Sequence, residues 1–312
     1  MRPANWIGIL LTAAFAAVVV LVLRRRAGEG MRRFFQHPLA GSGLGWLVFL
    51  AGAAALAPLL APYRPSRQFD IIGMVNQTPS WQHPLGTDLF SRDVLSRLLH
   101  GARVSLGVGA LAMLVAVTAG GLVGMIAGYF RRGIDGALMR VVDVGLAVPR
   151  IFIVLLAIAL WNQLSVLPLI VVLGVTGWFG TSRLVRAEVL VLRGQPFVDA
   201  ARAMGASPWR IMIRHVLPNA AAPLIVSAAL GIGNVMLLEA ALSFLGVGVQ
   251  PPTPSWGNMI ADGRDQLATA PLASLIPGLA IALAVMALNA VGDGLRDALD
   301  PRARVSPAPG AD

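Results

Sequence analysis

The sequence contains no cysteine and no lysine. The first absence removes disulfide frameworks and thiolate metal sites. The second removes any phosphate-binding P-loop, whose lysine follows a glycine-rich turn, so nucleotide-driven work has to come from another polypeptide. Charge is scarce too: only 13% of the 312 residues carry it, against roughly a quarter in soluble domains. The four histidines, His37, His83, His100 and His215, form no i,i+4 pair and have no nearby carboxylate set in the sequence, which opposes a metal site. No cofactor is expected.

What remains is apolar. Hydrophobic residues make up 56% of the chain and fall in long runs, the composition of a membrane protein. A net charge of +10 would suit a nucleic-acid binder, but the arginines do not build a face. They sit in clusters beside apolar runs: Arg24-Arg25-Arg26, Arg32-Arg33, Arg131-Arg132, and Arg183 with Arg186. That is how cytoplasmic segments of membrane proteins are marked, and no basic surface with interleaved aromatics accompanies it. A nucleic-acid partner is not expected.

Seven apolar stretches approach the roughly 20 residues that cross a hydrocarbon core. They are 6–23, 44–62, 104–128, 141–161, 166–185, 218–245 and 272–292. The first is followed directly by Arg24–Arg26, where a cleaved signal peptide has small residues. Two readings stand for 1–30: an extra uncleaved helix with its N-terminus outside, or a mis-assigned start with translation beginning at Met31. From Met31 onward the arginines orient the chain. Arg32 and Arg33 lie inside, 63–100 outside, Arg131, Arg132 and Arg140 inside. A short external turn at 162–165 follows, then a cytoplasmic segment 186–216, an external loop 246–270 and a cytoplasmic C-terminus with Arg296, Arg302 and Arg304. Arg64, Arg67, Arg92, Arg97 and Arg103 run against this assignment, partly offset by Asp70, Asp88 and Asp93. The chain divides into 1–30, a first core span with its external segment at 31–100, a transmembrane domain at 101–301 and a tail at 302–312 expected to be disordered.

The cytoplasmic loop at 194–219 is too polar to span. Pro196 suits a first helical turn, Gly205 a helix stop, and Ser207-Pro208 an N-cap with a first-turn proline. The pattern predicts two short helices, 197–204 and 209–216, around a glycine turn. Phe197, Ala200, Ala201 and Met204 are expected to share one side, with Asp199 and Arg202 on the other. In the second helix Trp209, Met212, Ile213 and Val216 oppose Arg210 and Arg214. Spacing alone leaves two readings open: a helix pair lying on lipid headgroups, or a handle for another protein.

The letters of the loop separate these readings. Asp199-Ala200-Ala201, then Gly205, then His215-Val216-Leu217-Pro218 resembles the EAA loop of ABC-importer permeases. It has Asp199 where that family has Glu and His215 where Ile is usual. The order Arg214–Asn219 is similar to the peptide-uptake branch of that family. Three further stretches resemble the same branch: His83–Asp88 with Ser91–Arg97 and Gly101–Leu106, Glu239–Gly257, and Asn289–Pro301. The likeness runs from about Met31 to Pro301.

The resemblance implies an all-α polytopic transmembrane helix bundle of the type I ABC importer kind, with six core spans and the extra helix at 1–30 outside the pattern. It implies a permease in the bacterial plasma (inner) membrane that imports di- or oligopeptides by alternating access. Its partners would be a second homologous permease subunit, two ABC ATPase subunits and an extracytoplasmic substrate-binding protein. Asp199, Ala200, Ala201, Gly205, Arg210, His215, Leu217 and Pro218 would form the coupling contact with the ATPase: Ala200 and Ala201 allow close approach, Gly205 makes the turn, and Leu217-Pro218 starts the next span. Nickel and glutathione are alternative cargoes within the same machinery.

Two rivals belong to other classes. A membrane enzyme needs convergent catalytic groups, and none is visible. An ion-coupled carrier needs charge pairs in several spans, and only Glu239 stands out, expected to face a subunit interface or an aqueous vestibule. Asp143 and Asp293 fall near cytoplasmic ends, solvated or paired with Arg. Pro149, Pro168, Pro223 and Pro277 predict kinks. Gly120, Gly124 and Gly128 predict a close helix–helix contact.

Overall fold

The computed structural model of the protein describes residues 5–26, 28–130, 132–160 and 165–299. Arg131, most of the turn expected at 162–165, Arg302, Arg304 and the tail at 302–312 lie outside them. Among the described residues the regular elements are helices, with two isolated β-bridges, Gln68 to Arg92 and Thr87 to Asp93.

Helix α1 (Trp6–Arg25) is apolar around its circumference. The amphipathic α2 (Glu29–Gln36) follows, and the chain then bends by 94° into α3 (Ala40–Ala55), prolonged by α4 (Ala57–Leu60). Small residues bring α1 against α3: Thr12 and Ala16 are buried, and a Cβ on Gly52 would stand 2.7 Å from Thr12 Cγ2. Most of the remaining surface of α1 is exposed, which suits a helix whose solvent is lipid.

Helix α5 (Val94–Phe130) has 37 residues, so it is ~55 Å long at about 1.5 Å per residue. It begins ten residues before the predicted span at 104, because Asp93 Oδ2 accepts from the Ser96 N–H at 2.8 Å and caps the helix there. Its outer turns therefore stand clear of a hydrocarbon core of about 30 Å.

The predicted single span at 141–161 is not continuous. It consists of α6 (Arg132–Ala147) and α7 (Arg150–Leu160), bent by 87° at Val148-Pro149. Proline removes a helical N–H and pushes the residue before it out of the helical region. Hydropathy is blind to this, since both arms are apolar. Pro223 and Pro277 instead sit inside helices that continue through them, and Pro168 falls in a first turn.

The remaining helices are α8 (Val166–Leu192), α9 (Pro196–Ala203), α10 (Pro208–Ile211), α11 (Leu217–Phe244), α12 (Trp256–Gly263) and α13 (Leu272–Leu299). Five described helices are long and apolar enough to cross a membrane, or up to seven if each bent pair counts as one span. The core has α5 at its centre. On one side Val94, Ala102 and Trp256 pack with Leu50, Met236, Ile281 and Leu288 of α3, α11 and α13. On the other, Val108 and Ala112 pack with Val154, Leu169 and Leu173 of α7 and α8.

The predicted glycine row is the seam between α5 and α8. A Cβ on Gly120 would stand 2.6 Å from Trp178 O, one on Gly124 2.8 Å from Val185 Cβ, and one on Gly128 2.8 Å from Val189 Cβ. Overpacking a tight contact costs about 1–3 kcal/mol or more. Gly124→Val therefore lowers unfolding stability in detergent by about that amount, while Gly107→Ala on the same helix, where the added methyl meets nothing within 4 Å, does not. Equal stability of the two variants would remove the seam from the account.

Candidate functional site

The polar groups collect in two places, at opposite ends of the bundle. One is the elbow between α8 and α11. Its first arm, α9, ends in a full Schellman motif: Ala206 N–H donates to Ala201 O at 3.1 Å and Gly205 N–H to Arg202 O at 3.0 Å, with Gly205 at φ +78°. A side chain at 205 would enter open space, so glycine is needed there for its backbone alone. Ser207 Oγ then accepts from Arg210 N–H at 3.4 Å and caps α10.

The second arm differs from the predicted separate helix. A π turn, Met212–Val216, joins α10 to α11, with Leu217 N–H donating to Met212 O, so 208–244 runs on as one helix of 37 residues. Pro218 falls just beyond this turn. The wide turn accommodates a proline ring that would otherwise meet the carbonyl four residues back.

The π turn also moves the buried face. Ile211, Met212 and Val216 are buried, whereas Trp209 and Ile213 are exposed. In α9 it is Val198 and Ala201 that are buried, and Phe197, Ala200 and Met204 are exposed. The expected four-residue apolar faces are thus each split. Val198, Ala201, Ile211, Met212 and Val216 pack on Met125, Tyr129, Val185 and Val189 at the ends of α5 and α8. Arg193 adds a 2.6 Å bond from Nη1 to Tyr129 O.

What stays outward is mixed in character. Met204 is 81% exposed, Ile213 58%, Trp209 53% and Phe197 40%. Asp199 pairs with Arg202 at 2.7 Å, both exposed, beside exposed Arg210 and Pro218. His215 and Leu217 are half-buried, and His215 O accepts from Asn219 Nδ2 at 2.6 Å. Of the predicted loop residues, the structure brings Asp199, Ala200, Gly205, Arg210 and Pro218 to the surface, but buries Ala201. On the neighbouring α6, Asp135 takes a bidentate bond from Arg186 at 2.6 and 2.8 Å, and Asp143 pairs with Arg183. Asp293 is exposed.

At the other end lies a cap built from 61–93 and α12, whose charged residues the sequence offered only as exceptions to the arginine rule, without their pairing. Arg92 and Arg97 are 8% and 3% exposed, yet both are neutralised. Asp88 Oδ2 accepts from Arg92 Nε at 2.8 Å and Arg97 Nη1 at 2.5 Å; Asp262 Oδ2 accepts from Arg92 Nη2 at 2.7 Å and Arg97 Nη2 at 3.0 Å. Two cations and two anions close a ring, and that removes the two innermost exceptions to the arginine rule. Among the described residues His83 has a single carboxylate partner, its Nδ1 lying 2.9 Å from Asp93 Oδ1. Its ring is flanked by Tyr63 and Phe69. Burial and the adjacent Asp93 carboxylate push the Tyr63 phenol up, so it stays a neutral donor to Gln82 O at 3.2 Å.

Glu239 corrects another expectation. It faces neither an outer interface nor a vestibule but is 0% exposed inside the chain. Ser243 Oγ donates to it at 2.7 Å, Ser105 Oγ at 3.3 Å, and Ser255 is a third hydroxyl partner. Each serine in turn accepts a backbone N–H: Val249 N at 3.1 Å, Trp256 N at 3.1 Å and Asn258 N at 3.1 Å, respectively. One carboxylate thereby ties the segment 249–258 to α5 and α11. The sequence signals were modest: acids and arginines interleaved at 88–97, and Ser243 one helical turn after Glu239.

Residues 120–305 match the family model of the binding-protein-dependent transport system inner membrane component, and residues 27–79 match the N-terminal transmembrane domain of oligopeptide transport permease C. A glutathione transport system permease protein of Pectobacterium atrosepticum is 38% identical over 275 residues, 88% of this chain and 90% of that one. A dipeptide transport system permease protein of Alkalihalophilus pseudofirmus is 40% identical over 279 residues, 88% and 89% of the two chains. A di/tripeptide transport system permease protein of Pseudomonas aeruginosa is 39% identical over 280 residues, 88% and 91%. Among solved structures, the inward-facing MetNI methionine ABC transporter shares the fold with TM-score 0.56 and 19% identity, over 65% of this chain and 96% of that chain.

Proposed function

The chain belongs to the family of binding-protein-dependent transport system inner membrane components, a permease subunit, and from that premise we propose that it imports short peptides with energy supplied by separate ATPase subunits. The observation that carries the coupling part is the elbow. It is anchored to the bundle by five buried side chains and offers Met204, Trp209, Ile213 and Phe197 outward together with Arg210 and Asp199. Exposed large apolar side chains rimmed by charge mark a protein contact. An elbow sunk in headgroups would carry its apolar groups on one continuous side, whereas here the outward apolar groups lie among an ion pair and Arg210.

In this reading two ATPase subunits grip the elbows of this chain and of a second homologous permease. The passage lies between the permeases, and a binding protein delivers cargo to the cap. The C-terminus and the elbow are cytoplasmic, the cap extracytoplasmic, and 101–301 is the transporting domain. ATP hydrolysis resides on the partners. A conformational change follows only from differential contacts in two states, so the elbow is held differently with and without bound ATP. The cargo assignment is supported by the relatives, whose names specify dipeptide, di/tripeptide or glutathione.

The chain has no cysteine, so Met204→Cys and Trp209→Cys each carry its sole thiol. A thiol crosslinker on the assembled transporter captures the ATPase from both positions, with a yield that changes when ATP is bound, and ATPase removal abolishes dipeptide uptake. Capture of lipid alone, or reaction only with reagents confined outside the cell, would overturn the coupling role.

A further inference from the structure

We propose that Arg150 lies on the passage and binds a carboxylate of the cargo halfway across the membrane. The inference rests on the peptide-permease reading and adds to it a position and a chemical contact. It starts from the break at Pro149, which places Arg150 at the start of α7 instead of within a continuous span. The guanidinium turns onto α8: Nη2 donates to Leu173 O at 2.5 Å and Nε to Thr176 Oγ1 at 3.3 Å. Gly177 leaves the space for it, since a Cβ there would stand 3.0 Å from Nη2.

Depth follows from the same helix. Leu173 and Thr176 lie seven and ten residues from Val166 at one end of α8 and ten and seven residues from Arg183 toward the other. Both separations amount to ~10–15 Å, so the guanidinium sits near the middle of a core about 30 Å thick. The expectation that Glu239 is the lone charge at such depth is therefore corrected.

Charge compensation sets Arg150 apart. On α8, Arg183 and Arg186 each have a carboxylate of α6, Asp143 and Asp135. Among the described residues Arg150 has no carboxylate in ion-pair range; its partners are a carbonyl and a hydroxyl, both neutral. A cation at this depth is costly in lipid and marks an ion or substrate route. The surface beside it is uncovered by its own chain, with Val148 and Phe152 both exposed. A water-filled passage shared with a second subunit satisfies the cation, and a peptide carboxylate passing through it supplies the missing anion as a charge-assisted hydrogen bond.

The test uses the complete transporter with its binding protein in vesicles. Arg150→Gln lowers dipeptide uptake about tenfold or more, the scale on which loss of one buried charge partner acts, and Arg150→Lys retains part of it. Arg150→Cys, the only thiol in this chain, reacts with small water-soluble methanethiosulfonates. The trimethylammonium adduct restores uptake, and the neutral methyl and anionic sulfonate adducts do not. Wild-type uptake by Arg150→Gln, no reaction at position 150, or rescue as good by the neutral adduct overturns the proposal. Loss of the second permease from purified Arg150→Gln transporter points to an inter-subunit ion pair and also overturns it. If wild type imports a different solute and no dipeptide, the peptide reading fails separately. The same rescue is then measured with that solute, and an uncharged cargo overturns the carboxylate role.

Discussion

Asp88→Ala loosens the cap formed by 61–93 and α12 and destabilises the whole chain by about 3–5 kcal/mol, the cost of leaving buried charges without a partner. Asp88 is 4% exposed and its carboxylate accepts four bonds: Phe90 and Arg92 backbone N–H at 2.9 Å each, Arg92 Nε at 2.8 Å and Arg97 Nη1 at 2.5 Å. Removing it leaves Arg92 and Arg97 sharing Asp262 as their one carboxylate among the described residues. Desolvated cations that lose one of two anions draw water into the cap, and the loop 61–93 comes away from α12. Thermal or chemical unfolding in detergent measures the loss. Arg97→Met in the Asp88→Ala background restores part of the stability, because it removes one of the stranded cations. If the double variant is no better than Asp88→Ala, the ring is not what holds the cap. The same variant binds its delivery protein more weakly while ATP hydrolysis in the absence of cargo is unchanged, since the elbow lies at the far end of α5.

Gly205→Pro separates ATP hydrolysis from uptake. Position 205 has φ +78°, a region closed to proline, whose ring holds φ near about −65°. The substitution also deletes the Gly205 N–H bond to Arg202 O. The end of α9 must then unwind at a cost of about 3 kcal/mol or more, and Met204 and Trp209 lose their mutual placement. Uptake falls about a hundredfold, on the scale of 1.4 kcal/mol per factor of ten. Gly205→Ala meets open space and bears only the left-handed backbone penalty of about 1–2 kcal/mol, so it retains an intermediate rate. Uptake assays paired with ATPase assays on the reconstituted transporter read both effects. Normal transport by the proline variant would show that the elbow is not the point where force is applied.

How much of this was legible beforehand differs residue by residue. Helix–turn–helix at 196–216 followed from Pro196, Gly205 and Ser207-Pro208, because each encodes a local backbone state. The face assignment did not, since Ile211 and Val216 are both buried only through a π turn, and π geometry leaves no periodic signature. The glycine row predicted a close helix–helix contact because small side chains at four-residue spacing have one obvious use in a membrane, but only the fold supplied α8 as the partner. Arg150 escaped notice because a sequence window gives an arginine near a span end the same meaning as any other flanking charge.

Hydropathy and the scarcity of charge were sufficient for the membrane class and the approximate spans. Those properties arise from transfer of each segment between water and lipid, which depends on local composition. The ring of Asp88, Arg92, Arg97 and Asp262 and the enclosure of Glu239 by three serines emerged from the folded arrangement, whereas the break at Pro149 was predicted as a kink. Asp88 and Asp262 are 174 positions apart, and Ser105 and Glu239 are 134 apart. The value of a charge or hydroxyl inside a low-dielectric bundle is set by whichever atom reaches it, and no window along the chain contains that neighbour.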